Sequence, residues 1–234
     1  MLIKKQHLRL VFSNIRTKLE DTILIKEFCA ENYTDIPKAI QAGAGRIELC
    51  DNLAVGGTTP SIGVIEEALA YAGEKHVPIM TMIRPRGGNF VYTDIELKIM
   101  ENDLIHAKNA GTDGVVFGCL TENNEVDEEA LEMLVGNSEG LLTTFHMAFD
   151  ELSKEEQFKT IDWFVKLGID RILTHGGPLS TSIEENLPHL KELIDYAAGR
   201  IIILPGGGIN AENAERIAER LGVTEVHGTK VVQF

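Results

Sequence analysis

The sequence predicts one domain of the α/β class, a single TIM-like (β/α)₈ barrel whose last helix is missing or very short. Two periodicities alternate along the chain after residue 22, because short apolar runs of strand length are separated by longer segments with helical spacing. Eight such runs fall within a chain of 234 residues, a length that suits one domain. A doubly wound open sheet is the alternative, but it usually has fewer strands.

Each predicted strand is a continuous apolar run rather than an in-and-out alternation, as expected for strands that are covered on both faces. The runs begin about 29 residues apart on average, which is a normal size for a βα unit. In chain order the predicted strands are Ile23–Cys29, Arg46–Cys50, Pro78–Ile83, Gly114–Gly118, Leu141–Phe145, Arg171–Thr174, Ile201–Leu204 and Glu225–His227.

The segments between the strands carry apolar residues at helical spacing. A glycine follows several of them directly before the next strand, at Gly43, Gly111, Gly168 and Gly222, and such a glycine is a typical helix stop. The predicted helices are Ile36–Ala42, Ile62–Ala72, Ile95–Ala110, Ala130–Val135, Glu155–Leu167, Leu187–Ala198 and Ala211–Leu221.

Residues 1–22 precede the first predicted strand, so we expect an N-terminal extension followed by a barrel domain over residues 23–234. Apolar residues of the extension are spaced like one face of a helix. They are Leu8, Val11, Phe12, Ile15 and Leu19. The extension is either a helix that covers the bottom of the barrel or a disordered leader, and the sequence leaves both open.

Charge and composition exclude several classes of partner. The chain has 22 Lys and Arg against 36 Asp and Glu, a net charge of −14, which argues against nucleic acid and against an anionic membrane surface as partners. No apolar run approaches the roughly 18 residues of a transmembrane helix, and the N-terminus has no secretory signal pattern. Three cysteines are an odd number and too few for a disulfide framework. We therefore expect a cytoplasmic protein, and the sequence leaves a homo-oligomer open.

Two cysteines form a candidate metal site. The first two strands end in the same pattern, Glu27-Phe-Cys29 and Glu48-Leu-Cys50, and the two-residue spacing puts each Glu on the same side of its strand as the Cys. Cu(I) prefers thiolate ligands, and neighbouring strands about 4.8 Å apart would let Cys29 and Cys50 approach one another. The alternative is that both are small buried hydrophobic residues, as free cysteines commonly are.

Charged residues gather at the predicted strand ends, where the active sites of such barrels lie. Glu27, Glu48, Arg84, His146 and Asp150 are the candidates for acid–base chemistry on a small anionic substrate, with a histidine or glutamate moving the proton. The alternative is a charge-balanced polar plug in which arginines neutralise the buried carboxylates.

A second group of residues is predicted to bind anions. Arginines clamp carboxylates or phosphates in bidentate fashion, and glycine-rich loops after strands seven and eight often hold phosphate in this fold. The alternative for the glycines is a tight turn between strand and helix. The candidate anion ligands are Arg84, Arg86, Gly206, Gly207, Gly208 and Lys230.

At these residues the chain resembles the CutC family of copper homeostasis proteins. The resemblance extends over residues 24–234, and three of its motifs together are specific: GGTTPS at 56–61, IRPRGG at 83–88 and TFHMAFD at 144–150. It implies a TIM-like barrel, a cytoplasmic location and a role in copper homeostasis through Cu(I), with Cys29 and Cys50 at the positions of the thiolate ligands. Two hypotheses thus stand side by side: a Cu(I)-binding protein, and a lyase, isomerase or hydrolase that acts on a small anionic metabolite.

Overall fold

The computed structural model describes residues 23–234, and the predicted N-terminal extension lies outside them. Eight parallel strands form a nearly closed barrel in the spatial order β7-β6-β5-β4-β3-β2-β1-β8. The strands are β1 Ile25–Glu31, β2 Arg46–Cys50, β3 Ile79–Met82, β4 Gly114–Phe117, β5 Leu142–Phe145, β6 Arg171–Thr174, β7 Ile202–Pro205 and β8 Glu225–Gly228. The predicted fold class is confirmed.

Seven α-helices among the described residues connect the strands and pack on the outside of the barrel. They are α1 Ile36–Gln41, α2 Ile62–Glu74, α3 Asp94–Ala110, α4 Glu128–Asn137, α5 Lys154–Leu167, α6 Ile183–Ala197 and α7 Ala214–Leu221. No α-helix lies among residues 229–234. Within residues 23–234 no helix is long and apolar enough to cross a membrane.

The ring of strands closes through β1 and β8, which pair in parallel from Ile25 opposite Glu225 to Phe28 opposite Gly228. Between β7 and β8 the described residues form no ladder. A single parallel bridge between Asn210 and Lys230 joins the chain segments just beyond these two strands. The barrel is therefore nearly closed, and its carboxyl-terminal strand ends meet at one mouth.

The ends of several elements differ from the sequence prediction. β1 begins at Ile25, where the backbone N–H donates to the carbonyl of Thr224, while Ile23 is 87% exposed. α4 begins earlier than predicted, because the Asp127 side chain accepts a hydrogen bond from Ala130 N–H and caps the helix. These shifts leave the order of the elements unchanged.

Candidate functional site

A network of buried charges lies inside the barrel. Glu27, Arg46, Arg171 and Glu225 come from β1, β2, β6 and β8, and each is at most 5% exposed. Arg46 forms an ion pair through Nε with Glu27 and donates from Nη2 to Oε2 of Glu225 at 2.7 Å. Arg171 donates from Nε to the same Glu225 oxygen at 3.0 Å. Each of these two carboxylates therefore has a guanidinium partner, as a low-polarity interior requires.

His227 of β8 connects this network to Glu48. Its Nδ1 lies 2.9 Å from Glu27 Oε1, and its Nε2 lies 3.7 Å from Glu48 Oε2. Burial alone would lower the pKa of His227, but the charge of Glu48 and hydrogen bonds to Cys29 and Glu27 raise it well above its ordinary value. Burial would likewise raise the pKa of Glu27, but Arg46 and His227 hold it well below its usual range. Both effects favour an imidazolium paired with a carboxylate.

Cys29 and Cys50 both lie next to Glu48. In the register of β1 and β2, Cys29 is opposite Glu48 and Cys50 is two residues further along, so all three side chains point into the barrel. Cys29 Sγ donates to Glu48 Oε2 at 3.2 Å, and Cys50 Sγ donates to the same oxygen at 3.6 Å. One ligand atom from each of the three residues lies within 4.8 Å of the other two. The arrangement can hold one metal ion.

Both thiols ionise less readily than an exposed cysteine. The pKa of Cys29 is raised well above its ordinary value by its hydrogen bond with Cys50, by burial and by the charge of Glu48. The hydrogen bond from Cys29 lowers the pKa of Cys50, but burial and the charge of Glu48 outweigh it and raise that pKa to about 11. A bound cation is therefore needed to stabilise thiolates at this position near neutral pH.

Apolar and sulfur-containing side chains enclose the two thiols. Met80 and Met82 of β3 pack with both cysteines in one buried cluster. On the mouth side, Gly57 covers Cys50, because a Cβ at Gly57 would lie only 3.1 Å from the Cys50 sulfur. Cys50 is fully buried, and Cys29 is 6% exposed.

Arg84 follows β3 and is buried, with 4% of its surface exposed. Its Nη1 donates to the carbonyls of Val55 and Gly57 at 2.9 and 2.8 Å, and its Nη2 donates to the carbonyl of Gly88 at 2.8 Å. The guanidinium also lies 5.0 Å from the centre of the Phe90 ring. Among residues 23–234 no carboxylate forms an ion pair with it. Arg84 therefore fixes two loops at the mouth while its charge stays without a counter-charge.

His146 follows β5 and lies across the end of β4. A Cβ at Gly118 would be 2.5 Å from its Cε1, so the glycine makes room for the ring. Nδ1 accepts a hydrogen bond from Ala148 N–H at 3.2 Å, which places the ring proton on Nε2. Burial and the nearby charge of Arg84 lower the pKa of His146 to about 3. The imidazole is therefore a neutral hydrogen-bond donor.

The other predicted anion ligands have partners or neighbours of their own. Arg86 pairs with Glu96 of α3 at 2.5 Å, so its charge is already neutralised. In the Gly206–Gly208 loop, a Cβ at the central glycine would lie 2.7 Å from His175 Nδ1, so a side chain already occupies that position. Lys230 is exposed, and its backbone carbonyl accepts from Ala211 N–H at 2.8 Å. Anion binding by these residues stays a prediction.

Asp150 fastens the turn after β5 to the loop after β6. Its carboxylate accepts hydrogen bonds from Thr174 Oγ1 at 2.5 Å and from the backbone N–H groups of His175 and Gly176 at 2.8 and 3.1 Å. Both of these backbone N–H groups are therefore already paired. A catalytic role for Asp150 stays a prediction, as it does for the other four acid–base candidates.

The structure divides the predicted mouth into two groups. Glu27 is the third residue of the seven in β1 and Glu48 the third of the five in β2, so both lie inside the barrel rather than at the strand ends. In the alternative of a charge-balanced plug, arginines neutralise these carboxylates. Arg46 and His227 are the partners that the structure shows, while backbone carbonyls hold Arg84.

Four members of the buried network were not predicted as site residues: Arg46, Arg171, Glu225 and His227. The spacing of charged residues in the strands could have identified them. Glu225 and His227 are two residues apart in β8 and so face the same side of the strand. Arg46 and Glu48 have the same spacing in β2. Charged residues at that spacing in an otherwise apolar parallel strand indicate a polar barrel interior.

The family model that describes the CutC family matches residues 24–232. A CutC protein from Enterococcus faecalis is 70% identical over 209 residues, which cover 89% of this chain and 100% of the relative. The chain belongs to the CutC family. The resemblance predicted from the three sequence motifs is thereby confirmed.

Two further members place the barrel within the family. A mouse protein named copper homeostasis protein cutC homolog is 43% identical over 203 residues, which cover 87% of this chain and 72% of the relative. The crystal structure of a CutC protein from Streptococcus agalactiae has 51% sequence identity and a TM-score of 0.87, and the match covers 90% of this chain and 100% of that chain. The TIM-like barrel is thus shared with a solved CutC structure.

Proposed function

We propose that this protein binds Cu(I) through the thiolates of Cys29 and Cys50 and so takes part in copper homeostasis in the cytoplasm. The observation that carries the proposal is the approach of both sulfurs and a Glu48 oxygen to within 4.8 Å of one another inside the barrel. The name of the mouse relative, a copper homeostasis protein, supports the same role.

The donor set fits a soft monovalent ion better than a hard one. Thiolates and thioethers favour Cu(I), whereas Mg²⁺ and Ca²⁺ prefer sites made of oxygen ligands. Two cysteine sulfurs converge here, and Met80 and Met82 lie in the same buried cluster. All three cysteines of the chain are free thiols, as a reducing cytoplasm would keep them.

Glu48 supplies the base that this binding needs. Each thiol must lose its proton before it can bind the ion. Glu48 Oε2 accepts a hydrogen bond from both thiols, and its Oε1 is buried with no partner among the described residues. When Cu(I) replaces the two thiol protons, Glu48 is therefore placed to receive one of them, and the other is released to solvent. His227, on the other side of Glu48, balances the carboxylate charge.

The test is competition between the reduced protein and a chromophoric Cu(I) chelator under anaerobic conditions. We expect one Cu(I) per wild-type chain and a loss of affinity of about a thousand-fold or more in Cys29→Ser and in Cys50→Ser, because each leaves only one thiolate. Cys119→Ser is the matched control, since Cys119 is also a buried free thiol but packs in the larger apolar cluster. Equal affinity of the wild type and the Cys29/Cys50 double variant would refute the proposal.

A further inference from the structure

Three buried polar groups at the mouth of the barrel have no hydrogen-bond partner among residues 23–234. They are Nε of Arg84, the hydroxyl of Tyr92 and Nε2 of His146. Buried donors in folded proteins are nearly always paired. Nε of Arg84 and Nε2 of this His146 tautomer carry a proton and can only donate, whereas the Tyr92 hydroxyl can donate as well as accept. The missing partner is therefore an acceptor.

The three groups belong to one part of the molecule. Arg84 and His146 both contact Phe90, whose ring centre lies 5.0 Å from the guanidinium carbon and 4.8 Å from the centre of the imidazole. Tyr92 is two residues beyond Phe90 on the same loop. Burial raises the pKa of Tyr92 to about 12, and the nearby Arg84 charge opposes that rise. The donors thus surround the loop that leads from β3 to α3.

The charge of Arg84 indicates that the acceptor is an anion. A buried cation is costly unless it is paired, and three backbone carbonyls do not neutralise it. These three bonds use three of the five N–H donors of a guanidinium. The Nε N–H and one Nη2 N–H remain, which is the number that a carboxylate takes in a bidentate pair.

We infer that the loop between β3 and α3 forms a binding site for a small carboxylate, held by Arg84, Tyr92 and His146. A single unneutralised cation matches one negative charge, whereas a phosphate dianion would require more, and the neighbouring Arg86 is already paired with Glu96. A neutral His146 adds a hydrogen bond without adding charge. The inference is independent of the copper site, since neither Cys29 nor Cys50 contributes a donor.

A cavity beside this loop offers a path for the ligand. It has a volume of about 290 Å³ and is lined by residues 88–91 together with Leu120 and Glu151. This volume is near the lower end of the range for small-molecule sites, which suits a ligand of a few heavy atoms. Phe90 lines this cavity and contacts both Arg84 and His146.

The test is isothermal titration calorimetry of the full chain with acetate, and with inorganic phosphate as a second probe. We expect acetate binding that is about ten-fold weaker in Tyr92→Phe and in His146→Asn, because each removes one hydrogen bond to a charged ligand. Asparagine can still accept from Ala148 N–H, so His146→Asn keeps the local cap. Tyr71→Phe is the matched control for loss of a hydroxyl and should bind acetate like the wild type.

Three outcomes would overturn the inference. Unchanged acetate affinity in both variants, or no acetate binding by the wild type, would mean that the three donors hold buried water only. Tighter binding of phosphate than of acetate would overturn the carboxylate assignment. A melting temperature accompanies each titration, because Tyr92→Phe removes an unpaired hydroxyl and should melt no lower than the wild type.

Discussion

Replacing Arg46 with methionine should destabilise the barrel strongly. Arg46 is 2% exposed and bonds to two carboxylates, Glu27 through Nε and Glu225 through Nη2. Methionine fills much of the space but carries no charge, so Glu27 keeps only His227 as a partner and Glu225 keeps only Arg171. Removal of one member of a buried ion pair costs about 3–5 kcal/mol. For a domain of this size that corresponds to a fall in melting temperature of roughly 6–20 °C.

The assay is thermal and urea unfolding at pH 7, with Arg216→Met as the matched control. Arg216 forms a surface ion pair with Glu184 at 2.7 Å, and the two side chains are 51% and 42% exposed. Because surface pairs contribute about 0–1 kcal/mol, the control should melt close to the wild type. An Arg46→Met protein that is as stable as the control would refute the inference that the interior carboxylates depend on Arg46.

The destabilisation caused by Arg46→Met should depend on pH, because Glu27 in the buried network is titratable. Arg46 helps to hold the pKa of Glu27 below its ordinary value, so this pairing stabilises the fold above the unfolded pKa of about 4.5 and the stabilisation is lost as the pH falls. The difference in stability between wild type and Arg46→Met should therefore narrow below about pH 4.5. The double variant Arg46→Met with Glu27→Gln should be more stable at pH 7 than Arg46→Met alone, because it also removes the carboxylate that has lost its guanidinium partner.

Two further predictions concern stability. Burial lowers the pKa of His146 to about 3, so the unfolded chain binds more protons than the fold between that pH and about 6.5. Through this group alone the free energy of unfolding should fall by about 2 kcal/mol between pH 7 and pH 5. The other titratable groups are common to both proteins, so urea unfolding should show a loss that is about 2 kcal/mol larger in the wild type than in His146→Asn. A Cβ at Gly114 would lie 2.2 Å from Met80 Cε and 2.7 Å from the Leu142 carbonyl oxygen, so Gly114→Ala should lower the free energy of unfolding by about 1–3 kcal/mol or more. A Cβ at Gly136 in α4 would meet nothing within 4 Å, so Gly136→Ala should raise the free energy of unfolding by about 0.5–1 kcal/mol. Thermal unfolding of the two variants measures both effects.

The sequence was sufficient to predict the strands and the thiol pair. Continuous apolar runs mark strands that are buried on both faces, and their number identified the barrel. The repeated Glu-x-Cys pattern placed each thiol on the same side of its strand as a carboxylate, and the β1–β2 register brings Cys29 opposite Glu48. The first prediction rests on apolar runs and the second on period-two geometry, and both patterns lie within single strands and depend on local sequence alone.

The partners of the charged residues could not be predicted in the same way. Glu27 contacts His227 across 200 residues of sequence, and that contact exists because the barrel closes through β1 and β8. The guanidinium of Arg84 is held by carbonyl oxygens, and every residue type supplies a carbonyl, so no sequence motif marks them. Local pattern therefore identified residues that carry charge, while closure of the ring and the course of the loops decided their neighbours.

Arg84 contacts the surroundings of both proposed sites, the thiol pair and the carboxylate site. Its Nη1 holds the carbonyl of Gly57, and Gly57 in turn packs against the sulfur of Cys50, while its Nε is directed to neither. Nη1 thus positions the loop that packs on the thiol pair. The Nε N–H and one Nη2 N–H remain available for an anion. Arg84→Met would disturb both sites together, which is why Tyr92→Phe and Cys50→Ser are the changes that separate them. A Tyr92→Phe protein that loses acetate and keeps Cu(I) would establish that one barrel mouth carries two independent binding sites.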